Sequence, residues 1–134
     1  SAASDVYKRQ LVKNVPAGVT IVKDQTLDQC AIYIALAKKT YTIDNGNQST
    51  FIDFKNDENI IAYGELPSGA ATEGDGYVEF NIPLKYKNLT DQPTHIIVVC
   101  SSSKYGDYMT GGAGSTLYVD DLSLIYDGTP TIWE

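Results

Sequence analysis

An all-β fold, a jelly-roll-like antiparallel β-sandwich, is what this sequence predicts, and three observations predict it. Apolar positions recur with a period of two rather than 3.6. The longest apolar runs, Ala31–Ala37 and Ile96–Cys100, are strand-length. Turn-forming clusters such as Asp44-Asn-Gly-Asn-Gln48 and Pro67-Ser-Gly69 separate the runs. At 134 residues the chain is one domain's worth, or part of one.

The first ten residues carry no periodic pattern. They resemble a string that recurs where sequencing-adapter DNA has been translated at the ends of metagenomic reading frames. Residues 1–10 are therefore expected to be a non-native leader outside the fold. The sandwich is expected to span 11–126 and to be incomplete at its N-terminus, with 127–134 as a tail. In Cys30–Ala37, Cys30, Ile32, Ile34 and Leu36 alternate with Ala31, Tyr33, Ala35 and Ala37. Both faces are apolar, which predicts a central strand. Thr40–Ile43 and Thr50–Phe54 are expected as short strands, and Ile60–Leu66 as another. In Tyr77–Leu84, Val78, Phe80, Ile82 and Leu84 share the core face, and Pro83 marks an edge or a strand end. Thr94–Ser102 is apolar on both faces and is expected to be central and doubly covered, so that Val98→Asp would unfold the domain. Lys104–Gly114 is a long loop, and Ser115–Tyr126 is the last strand.

That last strand holds a break. Leu117 and Val119 share one parity, while Leu122, Leu124 and Tyr126 share the other. Both sets reach the core only if an extra residue intervenes, which predicts a bulge at Asp120-Asp121. Counting back from Leu122, Asp120 points inward. An inward carboxylate needs a partner, either backbone N–H groups that it caps or a cation. Asp120 and Asp121 are thus candidate ligands of a structural calcium ion, although calcium takes 6–8 oxygens.

Charge and composition exclude other chemistry. The chain carries 17 acidic and 10 basic residues, a net charge of −7, which argues against nucleic acid and anionic membranes as partners. No run approaches the roughly 18 apolar residues of a membrane-spanning helix. Cys30 and Cys100 are the only cysteines and His95 the only histidine, too few for a zinc site. The two thiols are either buried and reduced or joined between strands. No Ser/His/Asp set assembles, and no spacing selects a carboxylate pair for glycoside cleavage. No catalytic residue is assigned. Gly111–Gly114 lacks the lysine and helix of a phosphate cradle. Tyrosine is over-used, 10 against 3 Phe and 1 Trp. Its ring stacks on the C–H faces of sugars while its hydroxyl bonds to theirs. Tyr105, Asp107 and Tyr108, together in the long loop, are the candidate ligand-binding residues; ordinary loop packing would account for them too.

Phe80–Tyr86, Pro93–Ser103, the run Lys104–Asp121 and the strand Asp28–Leu36 resemble the putative carbohydrate metabolism domain (PCMD) family. The resemblance spans about residues 28–126. It implies a jelly-roll sandwich similar to carbohydrate-binding modules, in secreted or outer-membrane lipoproteins of Bacteroidetes-type bacteria. It implies a polysaccharide or oligosaccharide partner, with an enzyme or transporter of a glycan-utilisation system alongside. In similar jelly rolls an early acidic residue and a late Asp share a calcium ion, and the resemblance implies an upstream half, which this chain is expected to lack. The expected function is a non-catalytic glycan-binding module; the alternatives are a carboxylate-using glycoside hydrolase and an adhesion module without a sugar ligand.

Overall fold

The computed structural model describes residues 2–44, 46–74, 76–105, 111–125 and 129–133. Among the described residues eight strands run in the order β1 (Ala2–Lys8), β2 (Ala31–Ala37), β3 (Ile60–Glu65), β4 (Val78–Asn81), β5 (Lys85–Tyr86), β6 (His95–Ser101), β7 (Thr116–Ser123) and β8 (Thr131–Ile132). Among the described residues the only helical turn is a 3-10 turn at Gln48–Thr50. A three-stranded sheet, β4-β1-β7, faces a five-stranded sheet, β6-β2-β3-β5-β8. All pairings are antiparallel except β5 with β8. This is the all-β sandwich that the period-two pattern predicts.

The core lies between the sheets. Ile32 and Ile34 of β2 and Ile82 after β4 are fully buried, and Leu66, Phe80, Leu84, Leu117 and Val119 pack against them. On the other face of β2, Ala35, Ala37 and Ile60 form a second buried cluster under Tyr41, Ile52, Phe54, Tyr63 and Ile97. The small alanines let the 38–59 segment lie close to the sheet. That segment forms no strands at Thr40–Ile43 or Thr50–Phe54, because its hydrogen bonds go to turns. The Asn47 N–H donates to the Asp44 carbonyl at 2.9 Å and the Thr50 N–H to the Asn47 carbonyl at 3.0 Å. The Tyr41 hydroxyl donates to Asp57 at 2.7 Å and pins the loop.

Three expectations about position are corrected. Residues 1–10 do not stand outside the fold: Ala2–Lys8 is the middle strand of the three-stranded sheet. Both β4 and β7 present an edge to it, and Asp5 and Tyr7 alternate inward, 5% and 0% exposed. The Tyr7 hydroxyl donates to the Ser102 carbonyl at 2.7 Å. Within the expected tail 127–134, Thr131–Ile132 pairs with β5 and so belongs to the sheet. The third correction concerns β6, which is an edge strand with Ile96 and Val98 45% and 39% exposed. Among the described residues it pairs with β2 alone.

The bulge in β7 is present. Ala2 faces Ser123 and Ser4 faces Asp120, so three steps on β7 match two on β1. Asp121 takes up the extra residue at φ 56°, in the left-handed region that Asp tolerates better than most side chains. Leu117 and Val119 pack on the core, but Leu122 and Leu124 beyond the bulge are 42% and 37% exposed, so the second set does not reach it, contrary to expectation. Asp120 does not point inward, however: it stays with the outward parity of Tyr118 and is exposed. The residue that shifts the register is Asp121, and Asp120 precedes the shift. Its carboxylate accepts the Asp121 N–H at 2.8 Å, a local cap of the bulge.

Candidate functional site

The outer face of the five-stranded sheet carries a cluster of four half-buried rings. Tyr33 comes from β2, Phe54 from the covering loop, Tyr63 from β3 and Trp133 from the end of the chain. Ring centroids lie 6.1 Å apart for Tyr33–Phe54 and for Tyr33–Tyr63, 4.7 Å for Phe54–Tyr63 and 5.5 Å for Tyr63–Trp133. The first three are within 24° of parallel. The strand register helps make this arrangement: Tyr33 faces Glu65 and Ala35 faces Tyr63, so the small Ala35 leaves room beside the Tyr63 ring. Trp133 is held by its N–H, which donates to the Tyr86 carbonyl at 2.8 Å.

Polar groups rim the rings. The Tyr63 hydroxyl lies 3.4 Å from Glu65 Oε2 and donates to it. Burial, then the Glu65 charge, raises the Tyr63 phenol, so it stays a donor. Lys87 Nζ donates to the Phe54 carbonyl and, at 3.2 Å, to the Asp57 carbonyl, and lies 5.8 Å from the Trp133 centroid. Burial lowers the Lys87 ammonium.

The cluster opens at Tyr33 and Glu65 into a cleft of about 310 Å³, whose walls include Arg9, Gln29, Lys104 and the Leu66–Ala70 turn. Next to Gln29 of that wall lies Asp28, only 3% exposed. Its carboxylate accepts the Ser103 hydroxyl at 2.7 Å and the N–H groups of Gly112 and Gln29 at 2.9 Å each. Half-buried rings beside a polar cleft with donors and acceptors on its walls suit a ligand with apolar faces and many hydroxyls.

The residues singled out from sequence fare differently. Tyr105 is half-buried, lines a second cleft of about 310 Å³ with Ile21, Leu27 and Asp28, and has Lys104 Nζ 5.7 Å from its ring centroid. Asp107 and Tyr108 lie outside the described residues. Asp120 and Asp121 are exposed, and among the described residues no three His, Cys, Asp or Glu side chains gather. His95 is exposed and bonded to its neighbour Thr94 at 2.7 Å. Both cysteines are free; Cys30 is buried and Cys100 exposed. Sequence reasoning did not find the four-ring cluster or Asp28. The excess of tyrosine was the available signal for the rings, but it carries no position.

The family model described as "Putative carbohydrate metabolism domain" matches residues 5–125, including part of β1. In fold the chain is similar to the crystal structure of a putative glycoside hydrolase from Bacteroides thetaiotaomicron VPI-5482, with a TM-score of 0.61 and 23% identity. The match covers 96% of this chain and 38% of that one, so this chain spans well under half its length. At that identity the likeness is one of fold. No curated protein sequence matches this chain.

Proposed function

This chain belongs to the Putative carbohydrate metabolism domain family, and from that premise we propose that it is a non-catalytic glycan-binding module. The observation that carries the reading is the ring cluster Tyr33, Phe54, Tyr63 and Trp133 running into the cleft at Glu65. Ring faces stack on the C–H faces of successive sugars, and Glu65 and Lys87 bond to hydroxyls at the edges. We place the protein outside the cytoplasm, secreted or on the surface of a bacterium, where it hands a polysaccharide to a partner enzyme or transporter.

The test is calorimetry against a panel of oligosaccharides. Trp133→Ala and Tyr33→Ala are each expected to weaken binding about tenfold or more, as loss of about 1.4 kcal/mol does. Wild-type affinity in both variants would end this reading. The hydrolase alternative draws on the likeness in fold to a putative glycoside hydrolase. Among the described residues Glu65 is the one carboxylate lining the ring-side cleft, and hydrolysis takes two. Release of reducing sugar that Glu65→Gln abolishes would favour the enzyme.

A further inference from the structure

We propose that the glycan is anionic, and that the cleft beside Tyr33 is the subsite for its acidic group, held by Arg9 and Lys104. The inference rests on the glycan-binding reading and deepens it. In a chain of net charge −7, two cationic residues line one cleft, Lys104 with its Nζ also 5.7 Å from the Tyr105 ring centroid. Neither makes an ion pair with a described residue. Other cations are committed elsewhere: Lys38 to Asp91 at 3.1 Å, Lys87 to two carbonyls and Lys8 to the Gly74 carbonyl at 2.6 Å.

Both cations are also mounted on fixed backbone. The Lys104 N–H donates to the Gln29 carbonyl at 2.6 Å, and the Asp28 N–H donates to the Gln10 carbonyl, next to Arg9, at 2.9 Å. The Gln10 N–H donates to the Ser115 hydroxyl at 3.1 Å. Buried Asp28 ties these segments together through Gln29, Ser103 and Gly112. Guanidinium presents a planar fork that matches a carboxylate or sulfate, and ammonium adds a point charge. Glu65, on the ring side of the cleft, repels the acidic group toward the cationic wall and accepts hydroxyls itself. The ring cluster would then bind the sugar chain without regard to charge, and the cleft would select the charged residue within it.

The test compares a uronic-acid oligosaccharide, its methyl-esterified neutral form and a sulfated neutral oligosaccharide, by calorimetry at low and high salt. The acidic form is expected to bind about tenfold tighter than the ester, with the advantage shrinking in salt. In the Arg9→Gln/Lys104→Gln double variant the ratio should fall to near one, while Lys104→Arg keeps it. The sulfated arm separates a carboxylate-specific site from a general anion site. Equal affinity for acid and ester, or a ratio that survives the double variant, overturns the anionic subsite and leaves glycan binding standing. Failure of the wild type to bind any of the three overturns both. A thermal melt confirms that each variant is folded.

Discussion

Strands β2 and β6 lie side by side in one sheet and read alike in sequence, Ala-Ile-Tyr-Ile-Ala-Leu-Ala against His-Ile-Ile-Val-Val-Cys-Ser. Their surroundings differ. β2 has a neighbour on each edge, the three-stranded sheet over one face and the ring cluster over the other. β6 has one neighbour, and its inner row of Ile96, Val98 and Cys100 continues the row of Leu36, Ile34 and Ile32 out to where nothing described covers it. Composition shows what a strand can bury; sheet order decides what it does bury. The β6 edge also lacks the lysine or proline that usually blunts an open edge.

The largest effect separates the two strands by charge. Ile34→Asp puts a carboxylate where exposure is 0%, with no partner, at a cost of several kcal/mol that should unfold the domain. Val98→Asp sits at a position 39% exposed and should cost about 1 kcal/mol or less. Urea titration of both variants measures the difference; equal losses would erase the contrast between the strands.

Crowding sharpens the same contrast. Gly64 of β3 lies opposite Ile34, and a Cβ there would sit 2.5 Å from the Pro83 carbonyl oxygen and 2.8 Å from Ile82 Cγ2. Gly64→Ala must therefore shift backbone, at about 1–3 kcal/mol. Val98→Ile on β6 adds a methylene beside open space and should change stability by no more than about 0.5 kcal/mol. If Gly64→Ala melts at the wild-type temperature, the inner face of β2 and β3 is looser than described.

Much of this was legible in the residues, and what was not has physical causes. The alternation at β2 made that strand readable, the Pro67-Ser-Gly69 turn closed β3, and the β7 bulge was readable from its parity break. Strand order is not written in any local pattern, so β6 read as central. β1 mixes Asp5 and Lys8 into seven residues and shows no clean period; its burial depends on the slot between β4 and β7. At 40–54 the Asp and Asn side chains offered the backbone turns that won over strand pairing. The rings of the candidate site come from β2, a loop, β3 and the chain end, and only the sheet brings them together. Tyr105 reached a cleft, but a different one.

The smallest effect is read by the two thiols, which report on the compared strands one apiece. Cys30 precedes β2 and is 2% exposed; burial first, then the nearby Asp5 charge, pushes its thiol from 9.0 up to about 11. Cys100 on β6 is free and exposed, and partial burial raises its thiol. The thiolate is the reactive form. In the folded protein at pH 8, an aromatic disulfide reagent should modify Cys100 at once and Cys30 only as fast as the domain opens. Unfolding without reductant should release both thiols. The pH dependence follows from the sign of the shift. Ionised Cys30 is disfavoured in the fold, so its contribution to stability is complete below about 9 and is lost as pH rises through about 11. Tyr7, raised to about 12 by burial, adds a similar loss somewhat higher. Cys30→Ala should flatten the decline in melting temperature between pH 9 and 11, and Cys100→Ala should alter it less. If Cys30 reacts as fast as Cys100 while the fold stays intact, the start of β2 is as open as the β6 edge, and the contrast between the two strands does not extend to their ends.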